Sequence, residues 1–240
     1  MKLLVVNPNT TASMTAKIAA AARCVARPGT EIVATQPDSG PASIQGFLDI
    51  ARSHHGLLEV AERHRDADAV VVACFDDTGV DALRCLFDGP VIGIGEAAFH
   101  AASLISTRFA VVTTLTRAVP GLRDNLDRYG LSRRCAAIRA AEVPVLDLET
   151  NPAAAERRIT AEIAEAMSVD RADAIVLGCA GMADLHARLS KRFGLPVIDG
   201  VACAVTLAEA LCAAGLSTSK AGAYASTANG PAGLPQRAMR

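Results

Sequence analysis

Two segments of this chain end in the same way. Asp68-Ala69-Val70-Val71-Val72-Ala73-Cys74 and Asp173-Ala174-Ile175-Val176-Leu177-Gly178-Cys179 each run from an acid through apolar residues to a cysteine, 105 positions apart (179 − 74). A continuous apolar, β-branched run of this kind marks a strand buried on both faces, as in a parallel sheet covered by helices. Pro90-Val91-Ile92 repeats as Pro196-Val197-Ile198, and Leu4-Val5-Val6 followed by Thr10 repeats as Ala110-Val111-Val112 followed by Thr116, both at an offset of 106 (198 − 92 and 112 − 6). Buried strands resemble one another, so one match would carry little weight. Three in one register point to an internal duplication.

The rest of the chain supports that organisation. Leu3 to Val6 reads as a strand, with Asn9-Thr10-Thr11 placed to cap a helix reaching about Arg27. Glu31 to Thr35 is a strand, Gln36 to Pro41 a turn-rich loop, Ile44 to about Arg65 a helix, and Asp77 to Phe87 a helix with acids in its first turn. Strand and helix in alternation predict a parallel sheet with right-handed crossovers. The expected fold class is α/β: two pseudo-symmetric lobes, each a parallel sheet flanked by helices, with the active site in the cleft between them. Residues 1–98 with 208–240 are expected to form the first lobe and 99–207 the second. The last helix, about Ala202 to Ala214, is expected to pack back on the first lobe, and the Gly-, Ala- and Pro-rich tail after Tyr224 to be loose.

Composition narrows the function. With 24 Lys+Arg against 25 Asp+Glu and 51% apolar residues, disorder is excluded and nothing in the charge calls for nucleic acid or an anionic membrane. No stretch nears the roughly 20 apolar residues of a membrane span, and Met1 to Pro8 is too short and polar for a secretory signal. Seven cysteines is an odd number, set inside predicted strands and helices, so a reducing cytoplasm fits better than a disulfide framework. Neither the cysteines nor the five histidines fall at zinc-ligand spacing, so no metal is expected.

Ligands of parallel α/β sheets bind beyond the carboxyl ends of the strands. Cys74 and Cys179 sit at that edge in equivalent positions, each with a helix expected within a few residues. A helix N-terminus favours a thiolate through its dipole and free N–H groups, and glycines at 178 and 181 would let a ligand approach the backbone. Cys24, Cys85, Cys135, Cys203 and Cys212 have no repeat partner and read as inert interior residues. Two opposed thiols suggest inversion at a carbon: one removes a proton, the other delivers one to the opposite face. Asn7, Asn9, Thr113 and Thr114 close the first strand of each lobe, where they can hold a carbonyl as it gains charge. For Asn9 and Thr10, helix capping is an equally good reading.

Taken together, Asn7-Pro8-Asn9-Thr10-Thr11, Asp38-Ser39-Gly40-Pro41-Ala42-Ser43-Ile44, Cys74-Phe75-Asp76-Asp77, Pro90 to Ala97, Val112-Thr113-Thr114 and Val176-Leu177-Gly178-Cys179-Ala180-Gly181-Met182 resemble the hydantoin racemases of the aspartate/glutamate racemase superfamily. The resemblance implies cofactor-independent inversion at C5 of a 5-monosubstituted hydantoin, a small cyclic diamide, by a homo-oligomer. It implies Cys74 and Cys179 as the acid/base pair, with Asn9, Ser43, Phe75, Thr113, Thr114, Ala180 and Gly181 contacting substrate. Amino-acid racemases of this superfamily usually carry Cys-Asn-Thr and Cys-Thr-His where this chain has Phe75 and Ala180, so a neutral diamide suits the site better than a zwitterion. Arylmalonate decarboxylase-like members keep one cysteine; here both are present. Allantoin racemases are the nearest rival, and Thr78 departs from several relatives. Outside the family, a non-catalytic two-lobed receptor shares the architecture but has no need of matched thiols.

Overall fold

The computed structural model describes residues 1–225, so the tail expected to be loose lies largely outside the described residues. Four parallel strands, β1 (Lys2–Val6), β2 (Glu31–Thr35), β3 (Ala69–Val72) and β4 (Val91–Gly93), form one sheet in the order β2-β1-β3-β4. A second sheet of β5 (Phe109–Thr113), β6 (Cys135–Ala140), β7 (Ala174–Gly178) and β8 (Val197–Ile198) repeats it as β6-β5-β7-β8. The register follows the duplication. Leu4 pairs with Val70 as Ala110 pairs with Ile175, and Val71 pairs with Ile92 as Val176 pairs with Ile198.

The helices are α1 (Ala12–Val25), α2 (Phe47–Glu62), α3 (Val80–Leu86), α4 (Ile94–Ile105), α5 (Val119–Arg128), α6 (Asp147–Thr150), α7 (Pro152–Ser168), α8 (His186–Phe193) and α9 (Gly200–Ala213). Side chains alternate across a strand, and both faces of each sheet are covered. Leu4, Val6, Val70 and Val72 pack on α2 and α3 through Leu57, Val60, Val80 and Leu83. Ala110, Val112, Ile175 and Leu177 pack on α7 and α8 through Ile159, Ile163 and Leu189. The alternate residues, Leu3, Val5, Ala69 and Val71 from one sheet and Phe109, Val111, Ala174 and Val176 from the other, enter a single core with α1, α4, α5 and α9.

The two lobes therefore share one helical layer. Met14, Ile18 and Ala22 form the buried stripe of α1 at four-residue spacing. Small residues on α4 (Ala97, Ala98, Ala102) and α9 (Ala204, Ala208) let these helices lie close. At Gly200 even a Cβ would lie 2.5 Å from the Ile94 carbonyl oxygen. The last helix packs on α1, α4, β3 and β4. Aromatics are scarce at 3%, yet Phe75, Phe109 and Tyr129 gather around fully buried Phe99, with ring centroids 5.3, 6.0 and 6.4 Å away.

Three local expectations are corrected. The second helix begins at Phe47, leaving Ile44 in a loop. The helix expected from Asp77 begins at Val80, because Asp77 takes a left-handed conformation (φ 53°). Its buried carboxylate accepts the Gly95 and Glu96 N–H groups at 2.9 and 2.8 Å, anchoring the start of α4, and the Tyr129 hydroxyl at 2.8 Å. Cys24 is exposed, not interior.

A shared core predicts one cooperative unfolding transition. Phe99→Ala, which empties its centre, should cost about 3–5 kcal/mol and shift the whole denaturant curve, followed by circular dichroism and by catalytic activity. Two transitions, only one of them moved by the substitution, would show that the lobes unfold independently.

Candidate active site

The carboxyl ends of β1, β3, β5 and β7 converge on one small cleft. Asn9 follows β1; Ala73, Cys74, Phe75 and Asp76 follow β3; Thr113 ends β5 and Thr114 follows it; Gly178 ends β7, with Cys179 and Ala180 beyond. Of the site residues expected from sequence, Cys74, Cys179, Asn9, Phe75, Thr113, Thr114 and Ala180 line this one cavity. Ser43 and Gly181 stand behind it. The Ser43 hydroxyl accepts a hydrogen bond from Gln45 Nε2 (3.0 Å), and Gln45 Oε1 accepts one from the Val145 N–H across the cleft (3.3 Å).

Asn9 both shapes its turn and faces the cavity. Its Oδ1 accepts from the Thr11 N–H (2.9 Å) and from Asn7 Nδ2 (3.0 Å). Its Nδ2 meets only the Met14 sulfur, at 3.3 Å, among the described residues, and so remains a donor for a ligand. Asn7 is fully buried and acts through Asn9. The Thr113 hydroxyl donates to the Gly178 carbonyl (3.1 Å), tying β5 to β7 beside the second cysteine. Gly178 and Gly181 serve packing more than ligand approach: a Cβ would lie 2.8 Å from Thr113 Cβ at the first and 2.8 Å from Leu148 Cδ1 at the second.

The two thiols occupy different surroundings. Cys179 precedes a 3-10 turn over Ala180–Leu185. Burial pushes its thiol up to about 11, opposed by the Gly181 N–H at the sulfur and by the charge of Lys17. Lys17, on α1, donates to the Gly181 carbonyl (3.3 Å) and pairs with Asp184 (3.7 Å). Cys74 has no helix start beside it, since α3 begins six residues later (80 − 74). Burial, and then the neighbouring Asp76 carboxylate, drive its thiol far above the ordinary range; the Thr78 hydroxyl (3.6 Å) and the Asp76 N–H oppose them. This is what Thr78 does here: it donates to the Cys74 sulfur. The expected thiolate-favouring environment is thus corrected. Desolvation outweighs the N–H groups at both sulfurs.

Sequence reading did not select Asp76, Met14, Ile44, Ala118 and Val145 as lining residues. Asp76 lay inside the cysteine motif and was legible there. The apolar four come from separate elements and are brought together only by the fold.

Comparison with known proteins follows the same lines. Residues 3–208 match the Asp/Glu/Hydantoin racemase family model. A hydantoin racemase of Rhizobium meliloti is 49% identical across 94% of each chain, and one of Pseudomonas sp. (strain NS671) is 43% identical across 93% of this chain and 91% of its own. The solved allantoin racemase of Klebsiella pneumoniae superimposes with a TM-score of 0.92 at 46% identity, covering 94% of this chain and 93% of its own. The family model and these relatives, more than the fold itself, define a racemase. The chain belongs to the Asp/Glu/hydantoin racemase family.

Alkylation tests the electrostatics. At pH 7 iodoacetamide should modify exposed Cys24 well before Cys179 or Cys74. Labelling of the two site thiols should accelerate about tenfold per pH unit as thiolate forms, with Cys179 ahead of Cys74, read by peptide mass spectrometry. Either one reacting as fast as Cys24 at pH 7 would mean that a thiolate is already in place.

Proposed function

We propose that this racemase inverts C5 of 5-monosubstituted hydantoins, without a cofactor, using Cys74 and Cys179 as a two-thiol acid/base pair. The observation that carries the reading is that both cysteines end equivalent strands and line one cavity. The C5 proton lies beside a ring carbonyl, and no substrate carboxylate opposes the developing charge. One sulfur, as thiolate, takes that proton. The other, as thiol, delivers its own to the opposite face, and the roles exchange for the reverse reaction. Asn9 Nδ2 and Thr114, the residue after β5, would hold the carbonyl oxygen as it gains charge. Cys179 is the more readily ionised of the pair. A thiol near 11 is thiolate in about one molecule per thousand at pH 8, yet each such thiolate is a strong base. Activity should therefore rise with pH from neutrality.

Met14, Ile44, Phe75, Ala118 and Val145 give the cavity apolar walls, which favour an alkyl or aryl 5-substituent over a polar one. Allantoin is the second reading. Similarity to the Klebsiella allantoin racemase supports it, and its ureido group would have to find its hydrogen-bond partners among Asn9, Asp76, Thr113 and Thr114. Polarimetry with 5-alkylhydantoins and with allantoin separates the two. The same proposal includes self-association through the outer face of α4, where Leu104 and Ile105 are 85% and 60% exposed; light scattering in solution reads it.

Single substitutions test the chemistry. Serine stays protonated near neutral pH and does not replace the thiol as base. Cys74→Ser and Cys179→Ser should each lose racemisation by at least about a thousandfold. Each should keep slow deuterium exchange of one enantiomer only, opposite in the two variants. Near wild-type racemisation by either folded variant would overturn the two-thiol assignment.

A further inference from the structure

Asp76 is the one side chain with a formal charge among the described residues lining the cavity. Its polar companions there are Asn9, Thr113, Thr114 and the two thiols, and no lysine, arginine or histidine lines the space. Lys17 is engaged with the Gly181 carbonyl and Asp184. Both ends of the Asp76 backbone are held: its carbonyl accepts Asn125 Nδ2 at 3.0 Å, and its N–H points to the Cys74 sulfur. Its carboxylate, by contrast, has a single donor among the described residues, the Cys74 thiol at a long 3.9 Å. Burial pushes this carboxyl up to about 6, which leaves it ionised at pH 8.

A negative charge facing a cavity with no lining cation acts on whatever enters. We infer that Asp76 determines the charge of the substrate, its carboxylate accepting a ring N–H of a neutral cyclic diamide and rejecting molecules that carry a carboxylate on the 5-substituent. This rests on the hydantoin racemase reading and adds a specificity-determining residue to it. The ring N–H groups need acceptors once water is displaced, and Asp76 is the strongest acceptor present. The charge formed on removing the C5 proton collects on the carbonyl oxygen, so a carboxylate is tolerated at the N–H edge of the ring. Two like charges about 6 Å apart at an effective dielectric of about 20 weaken binding roughly a hundredfold.

The test uses an isosteric pair, 5-(carbamoylmethyl)hydantoin, which is neutral, and 5-(carboxymethyl)hydantoin, which is anionic. Each is measured at pH 8 as substrate and as competitive inhibitor of 5-isobutylhydantoin racemisation. The readout is the neutral-to-anionic ratio of kcat/KM, or of the inverse inhibition constants, within one protein; damage to Cys74 chemistry then cancels. Wild type should favour the amide by at least about thirtyfold. Asp76→Asn should lower that ratio at least tenfold, and Asp76→Glu should keep it within about threefold of wild type. A wild-type ratio below about threefold overturns the inference without any variant, which covers a substituted protein that does not fold. An unchanged ratio in folded Asp76→Asn also overturns it, and leaves the hydantoin reading standing. Failure of wild type to racemise 5-isobutylhydantoin overturns that reading instead.

Discussion

The site depends on the burial of two inward sheet faces against one layer of helices. Leu3, Val5, Ala69 and Val71 on one side and Phe109, Val111, Ala174 and Val176 on the other enter the same core. Neither lobe can turn away from its partner without exposing that surface, so the ends of β3 and β7 are held toward a common space. Phe75, the residue after Cys74, belongs to this core and packs edge-on against Phe99. The strand ends that carry the two cysteines are thus positioned by the most buried part of the molecule.

The burial that positions the thiols also governs their chemistry. Both sulfurs lose water, and both are held in the protonated state more firmly than a free cysteine. The duplication does not extend to their neighbours. Each sulfur has a backbone N–H and feels the Asp76 carboxylate, but that carboxylate is the larger influence at Cys74, which also has the Thr78 hydroxyl, whereas Cys179 has the charge of Lys17. The proposed pairing of one thiolate with one thiol would gain from this inequality, because it separates two ionisations that symmetry would make equal.

The parallel sheets were legible in the sequence because strands buried on both faces leave an uninterrupted apolar run, and their common offset survives in the observed register. The cysteine pair was legible for the same reason, being defined by where those runs stop. Asp77 was misread as the first turn of a helix, since its left-handed backbone and its bonds to the start of α4 are tertiary facts. Gly178 reads in the sequence as room for a ligand, but Thr113 occupies the space beside it. Ile44 and Val145, from loops about a hundred residues apart (145 − 44), have no shared pattern in one dimension. Apolar walls of this kind arise from packing between elements and leave no local signature.

Isotope incorporation by the unmodified enzyme tests most directly the claim that two opposed thiols carry out the inversion. A single pure enantiomer of a 5-alkylhydantoin is incubated in deuterium oxide and sampled at low conversion, with each enantiomer recovered on a chiral column and analysed by mass spectrometry. The product should carry deuterium at C5 from the first turnovers, delivered by a solvent-exchanged thiol, and the recovered substrate should remain unlabelled. Product that retains the substrate's own protium, or substrate that gains label as fast as product forms, would mean that one base serves both faces and would contradict the account.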